Sequence, residues 1–137
     1  MIKLEWKKGL ISGVIAGILM LVVGSVLMIA GGATEWYSLT FPTTMSSPGG
    51  MYSMTVSVLV MGIIMGMIYS VINSAIPGEG TRKGVNYGIM VWLLAGLMWP
   101  IMMLGFAPVS IVIIEMITGL INYSVAGAVL VVIYEKV

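Results

Sequence analysis

The sequence contains no cysteine, no histidine and no aspartate. Without cysteine there are no disulfides, no thiolate metal sites and no cysteine nucleophile. Without histidine the chain lacks the commonest general base and the commonest metal ligand. Glutamate is therefore the only side-chain carboxylate, and we predict no catalytic residues, no metal site and no cofactor. An enzyme is the least favoured class of function.

Charge is also scarce, at 8% of 137 residues, whereas soluble domains carry about 25%. So few charges cannot cover a water-facing surface, but 60% hydrophobic residues and a mean hydropathy of +1.14 suit a lipid environment. The net charge of +1 provides no basic field for nucleic acid. We predict a protein whose immediate partners are membrane lipids.

Four apolar runs are long enough to cross a bilayer core, which needs roughly 20 helical residues. They predict helices at about 9–30, 52–76, 85–104 and 109–134, with an outer interfacial loop at about 31–51 and a turn at 77–84. The first run is longer than the apolar part of a signal peptide, and all four are continuous rather than alternating as in a β-barrel. The expected fold is all-α, a single transmembrane four-helix bundle over residues 1–137. Glycine, proline, serine and threonine in the outer loop are expected to exclude helix there.

Basic residues predict the orientation of this bundle. All of them fall on one side of a four-span chain, and the two opposite connections contain none. By the positive-inside rule both termini and the 77–84 turn face the cytoplasm, in the cell membrane. The residues are Lys3, Lys7, Lys8, Arg82, Lys83 and Lys136. Aromatic side chains near the helix ends are predicted interface anchors: Trp6, Trp36, Tyr37 and Tyr134.

Two segments suggest an internal repeat. KKGLISGVIAG, at residues 7–17, resembles RKGVNYGIMVW, at residues 82–92, with the first two glycines in register. Tyr-Ser-Val occurs at residues 69–71 and again at 123–125. The chain could therefore consist of two tandem helical hairpins in parallel orientation.

Small residues at helical spacing should bring these helices together, because leucine is no more apolar than the lipid. These glycine faces either pack the helices within one bundle, which is the simpler interpretation, or form an interface between copies of the chain. The predicted packing glycines are Gly9, Gly13, Gly17, Gly24, Gly62, Gly66, Gly88, Gly96, Gly119 and Gly127.

Glu115 is the only charged residue deep inside a predicted span, roughly 10 Å from its outer end. Thr118 and Asn122 follow Glu115 at helical spacing, so the three residues form a polar stripe on one helix face. A carboxylate there should face the interior, a water-filled cavity or a partner. It either handles protons or cations, or it is a protonated glutamate hydrogen-bonded to a neighbour. On the third predicted helix, Pro100 is expected to cause a kink.

Methionine is abundant, with 14 residues. The pairs Met61/Met65 and Met98/Met102 resemble the MxxxM pairs of copper-uptake transporters, and thioethers do select copper(I). Those proteins have three spans, however, and this chain has no histidine or cysteine to pass the ion on. Filling of the core by a flexible side chain is the favoured interpretation.

Residues 61–105, MGIIMGMIYSVINSAIPGEGTRKGVNYGIMVWLLAGLMWPIMMLG, resemble small prokaryotic four-helix membrane families known only as domains of unknown function. The shared pattern is a glycine-rich helix, a basic turn and a Gly-x-x-x-Trp-Leu-Leu helix ending in Pro and Gly. It covers about a third of the chain and implies architecture but no activity. Ring proteolipids of rotary ATPases can also carry one glutamate on a fourth helix, but their hairpin loops face the cytoplasm, whereas the basic residues here predict that both hairpin loops face outside. Small multidrug-resistance transporters also have four helices and one membrane glutamate, but theirs lies on the first helix, which has no carboxylate in this chain.

Three functions follow as expectations. The first is a non-enzymatic packing subunit of a larger membrane complex, or a homo-oligomer, because the glycine faces exceed what one bundle needs. The second is a small proton- or cation-coupled transporter or channel using Glu115. The third is lipid binding at the outer loop, on account of Trp36, Tyr37 and Phe41.

Overall fold

A computed structural model describes residues 4–137, in which every regular element is a helix. Four of the spans in this range are long and apolar enough to cross a membrane: Trp6–Gly31, Pro48–Ala75, Gly80–Met103 and Val109–Lys136. The prediction of an all-α chain with four long apolar helices is confirmed. The helices are α1 (Trp6–Gly31), α2 (Ala33–Thr40), α3 (Pro42–Ser46), α4 (Pro48–Ile72), α5 (Gly80–Val91), α6 (Met98–Met103) and α7 (Val109–Lys136).

The connection between α1 and α4 is helical, so the expectation that its prolines and glycines exclude helix is wrong. Gly32 ends α1 with a φ of +76°, a conformation that glycine adopts without strain. Pro42 and Pro48 begin α3 and α4, where the missing N–H has no helical partner to lose. Ser47 caps α4 by accepting a hydrogen bond from the Gly50 amide at 3.1 Å. These residues set the helix ends instead of preventing helix.

Glycines bring the first half of α1 against the second half of α4. A Cβ built on Gly9 would lie 2.7 Å from the carbonyl oxygen of Gly66, and one on Gly13 would lie 2.6 Å from that of Gly62. Gly66 in turn faces backbone atoms of both Gly9 and Gly13. The two backbones can approach this closely only because neither carries a side chain at the contact.

The same arrangement joins α5 to α7. Gly127 faces the carbonyl of Gly84 and the backbone of Gly88, as Gly66 faces Gly9 and Gly13. The glycines that match in sequence therefore occupy matching positions in two hairpins. The Tyr-Ser-Val match does not follow this register: Tyr123 takes the position of Gly62, about two helical turns from that of Tyr69.

Three tyrosines form the core at the end of the bundle where α1 begins, α7 ends and the α4–α5 turn lies. The ring of Tyr69 is 5.1 Å from that of Tyr87 and 5.1 Å from that of Tyr134. The Tyr87 hydroxyl donates a 2.6 Å hydrogen bond to the Met65 carbonyl. All three tyrosines are buried, and they link α4 to α5 and α7.

Candidate functional site

The interior of the bundle holds polar atoms that lack partners. In residues 4–137, three buried side-chain atoms have no hydrogen-bond partner: Glu115 Oε1, Asn122 Oδ1 and Trp92 Nε1. Glu115 and Asn122 line a common cavity of about 280 Å³. Buried polar groups are normally paired, so a cluster of unpaired ones indicates a place where water or a ligand is accommodated. We refer to this space as the Glu115 cavity.

Helix α7 supplies one wall of the Glu115 cavity. Glu115, Thr118 and Asn122 are three and four residues apart and so share a helix face. The Thr118 hydroxyl donates to the Glu115 backbone carbonyl at 3.2 Å. The Asn122 amide donates to the Met20 carbonyl of α1 at 3.3 Å, and Gly24 leaves room for it, since a Cβ there would lie 3.0 Å from Asn122 Nδ2. The predicted polar stripe therefore lies on one wall, tied to α1.

The opposite wall is an interrupted helix. Residues Trp92–Gly96 form a π-helical segment between α5 and α6, in which the Leu97 amide donates to the Trp92 carbonyl at 2.9 Å. Pro100 follows and has no N–H, so the Gly96 carbonyl loses its usual helical donor. Such segments occur frequently at functional sites. The break begins before the proline, a feature that the sequence did not indicate.

The short helix α2 lies beside the site through Tyr37. Trp99 Nε1 donates to the Tyr37 hydroxyl at 2.7 Å, and the same hydroxyl contacts Met103 Sδ at 3.7 Å. Tyr37 also lies within interaction range of Glu115. Burial, together with the negative charge of Glu115, raises the pKa of the Tyr37 hydroxyl above its usual range, although the Trp99 hydrogen bond opposes this. Tyr37 is therefore a neutral hydroxyl near Glu115.

Two of the four predicted interface anchors are buried in the protein. Tyr37 is 7% exposed and Tyr134 is 6% exposed, and the Tyr134 hydroxyl lies 3.3 Å from a carboxylate oxygen of Glu5. Trp36 is half-buried and stacks on Phe106 with ring centroids 6.3 Å apart. Only Trp6 projects outwards, at 49% exposed.

All ten predicted packing glycines lie against atoms of the same chain. Five of them, Gly9, Gly13, Gly17, Gly62 and Gly66, form the contact between α1 and α4, and Gly88 and Gly127 belong to that between α5 and α7. The other three, Gly24, Gly96 and Gly119, face the side chains of Asn122, Trp92 and Tyr123. The bundle itself therefore uses the glycine faces from which a seam between copies was predicted.

The methionines of the MxxxM pairs are not gathered at one place. Met65 is buried in the core, whereas Met98 and Met102 are each 63% exposed. A different set of methionines lines a second cavity of about 370 Å³, which also borders Gly24 and Asn122. These are Met20, Met28, Met45, Met51 and Met54. We refer to this second space as the methionine cavity.

No protein family, curated protein or solved structure matches this chain. The resemblance over residues 61–105 therefore remains a prediction about architecture. The distinguishing feature of the site is an unpaired carboxylate oxygen in a cavity lined by residues of α1, α4, α6 and α7.

Proposed function

We propose that this chain is a non-enzymatic, multi-pass integral membrane protein of the cell membrane that carries protons or cations by way of Glu115. The observation that supports it is the buried, unpaired Glu115 Oε1 in the Glu115 cavity. A carboxylate inside a membrane span usually marks a pathway for ions or protons. The proposal has three parts, namely insertion, orientation and the role of Glu115.

Insertion is supported by helix length and by the outward faces. The shortest of the four spans, Gly80–Met103, has 24 residues and is about 36 Å long at 1.5 Å per residue, against a hydrocarbon core of about 30 Å. Large apolar side chains such as Ile29 and Leu94 point outwards. Exposing these apolar faces to water would cost free energy, whereas lipid tails are as apolar as the side chains themselves.

Orientation is supported by the position of the basic residues at the end of the bundle that carries the three-tyrosine core. Lys7, Lys8, Arg82, Lys83 and Lys136 all belong to that end, while residues 32–47 and 104–108 at the other end contain no lysine or arginine. Lys3, which was part of the same prediction, lies outside the described residues. By the positive-inside rule both termini face the cytoplasm.

The role of Glu115 is supported by what surrounds it. No lysine or arginine of the described chain lines the Glu115 cavity, so no side-chain cation neutralises the carboxylate. The titratable neighbours are Tyr37, from α2, and Tyr123, on α7. A carboxylate without a counter-ion in a medium of low polarity favours the uptake of a proton or a cation.

A liposome assay tests this proposal. The purified chain is reconstituted with a pH-sensitive dye inside, and ion flux is followed after a pH or sodium jump. We expect Glu115→Gln to lower the flux at least tenfold, and Glu35→Gln to leave it unchanged because Glu35 is exposed at the same end. Equal flux for wild type and Glu115→Gln would contradict a role for this carboxylate.

The same preparation tests the packing-subunit function. That expectation depended on glycine faces in excess, and all ten glycines are occupied within the chain. Purification in mild detergent that recovers partners of fixed stoichiometry, together with no flux in liposomes, would favour a packing subunit over a transporter.

The third expectation, lipid binding by the outer aromatics, has less support because Trp36, Tyr37 and Phe41 pack against one another.

A further inference from the structure

The unpaired atoms in the Glu115 cavity are mainly hydrogen-bond acceptors. Asn122 donates through its amide nitrogen to the Met20 carbonyl, which can only accept, so its orientation is fixed and Oδ1 remains an acceptor. Glu115 Oε1 is a second acceptor without a donor. Both side chains border the same cavity. A molecule that satisfies them has to bring N–H or O–H groups, and a positive charge would complement the carboxylate.

The interrupted helix adds a third acceptor. Gly96 lines the Glu115 cavity, and its carbonyl has no amide donor at position 100 because that residue is proline. Leu97, the residue after it, already accepts from the Ile101 amide at 3.1 Å. A residue whose carbonyl lacks its usual helical donor thus lines the same cavity as the two side-chain acceptors.

Size and wall chemistry narrow the class of cation. A volume of about 280 Å³ is several times the roughly 30 Å³ of a water molecule and far exceeds a dehydrated metal ion. Apart from the polar stripe, the walls are apolar or aromatic, and Trp99 and Tyr123 are among the lining residues. Aromatic faces attract organic cations, whereas a metal ion such as Na⁺ would need several more oxygen ligands.

The neighbouring methionine cavity provides space for an apolar chain. It shares Met20, Gly24, Met28, Val58 and Asn122 with the Glu115 cavity and extends towards Met51 and Met54 at the start of α4. Methionine side chains adapt their shape to differing apolar partners. An elongated molecule could therefore place a polar head at Glu115 and its chain among the methionines.

We propose that the two cavities together bind a protonated alkylamine, with its ammonium group at Glu115 and Asn122 and its alkyl chain in the methionine cavity. This inference rests on the proposed function and names the class of cation that Glu115 handles. The ammonium N–H groups satisfy the acceptors that the protein leaves unpaired. A quaternary ammonium has the same charge but no N–H, and an alcohol has a donor but no charge, so both should bind less well.

Calorimetry in lipid nanodiscs tests this inference, with titrations into empty discs subtracted. The probes are n-hexylamine at neutral pH, hexyltrimethylammonium and n-hexanol. We expect saturable binding of hexylamine, weakened about ten- to hundredfold for the other two probes, as for loss of a charge-assisted hydrogen bond. Glu115→Gln should weaken hexylamine binding by a similar factor, and Glu35→Gln should not.

Equal affinity for hexylamine and hexyltrimethylammonium would overturn the inference, as would equal affinity of wild type and Glu115→Gln for hexylamine. If Glu115→Gln does not fold, the three probes on wild-type protein decide the matter alone. Flux measurements separate the two proposals. Flux that depends on Glu115 without hexylamine binding would refute only the amine site, and binding that depends on Glu115 without flux would refute only transport.

Discussion

The indole nitrogen of Trp99 donates a 2.7 Å hydrogen bond to the hydroxyl of Tyr37, 62 residues earlier in the chain. This contact holds the short helix α2 against α6 and places Tyr37 beside Glu115. A segment whose sequence is typical of a surface loop is therefore a helix that packs against α6.

Removing both ends of this hydrogen bond should show energetic coupling. We expect Tyr37→Phe and Trp99→Phe each to destabilise the bundle, and the double variant to cost less than their sum, with a coupling energy of about 0.5–1.5 kcal/mol. Unfolding in mixed micelles with increasing SDS measures it. Leu39→Ala serves as the control, because Leu39 lies on the same helix and is exposed. Strict additivity would mean that the bond does not hold α2 in place.

The glycine contacts of the two hairpins should be equally sensitive. Gly66→Ala and Gly127→Ala each place a methyl group against the backbone of the partner helix, so we expect each to lower the free energy of unfolding by about 1–3 kcal/mol. Gly49→Ala is the matched control, because a Cβ there meets nothing within 4 Å. A large effect in only one hairpin would show that the two contacts are not equivalent.

The tyrosine core should depend on a single hydroxyl. Tyr87→Phe keeps the ring but leaves the buried Met65 carbonyl without its 2.6 Å donor, so we expect a loss of about 0.5–1.5 kcal/mol in the same unfolding assay. Tyr52→Phe should have no measurable effect, since Tyr52 is exposed. Equal stability of the two variants would indicate that the carbonyl finds another donor.

The absence of native cysteine makes the orientation easy to test. Intact cells expressing Ser38→Cys or Lys83→Cys are treated with a membrane-impermeant maleimide. If both termini are cytoplasmic, Ser38→Cys should be labelled from outside and Lys83→Cys only after the membrane is opened. The two residues are exposed or partly exposed at opposite ends of the bundle. Labelling of Lys83→Cys alone in intact cells would reverse the proposed orientation.

Local patterns in the sequence predicted much of the site. Glu115, Thr118 and Asn122 were placed together because helical spacing depends only on residues three and four apart. The apolar runs predicted four long helices because the number of residues in a run sets the length of the helix. The glycines indicated close helix contacts but not which helix each would meet.

What the sequence by itself determined is therefore the set of long helices and the residues that share a face on each. Only the tertiary structure decided that α2 packs against α6, that Tyr37 is buried and that Gly66 and Gly127 are counterparts. The physical reason is that apolar residues facing lipid and apolar residues facing another helix have the same composition. Periodicity along one helix therefore does not specify its partners, and the contacts between residues such as Tyr37 and Trp99 arise only when the whole bundle packs.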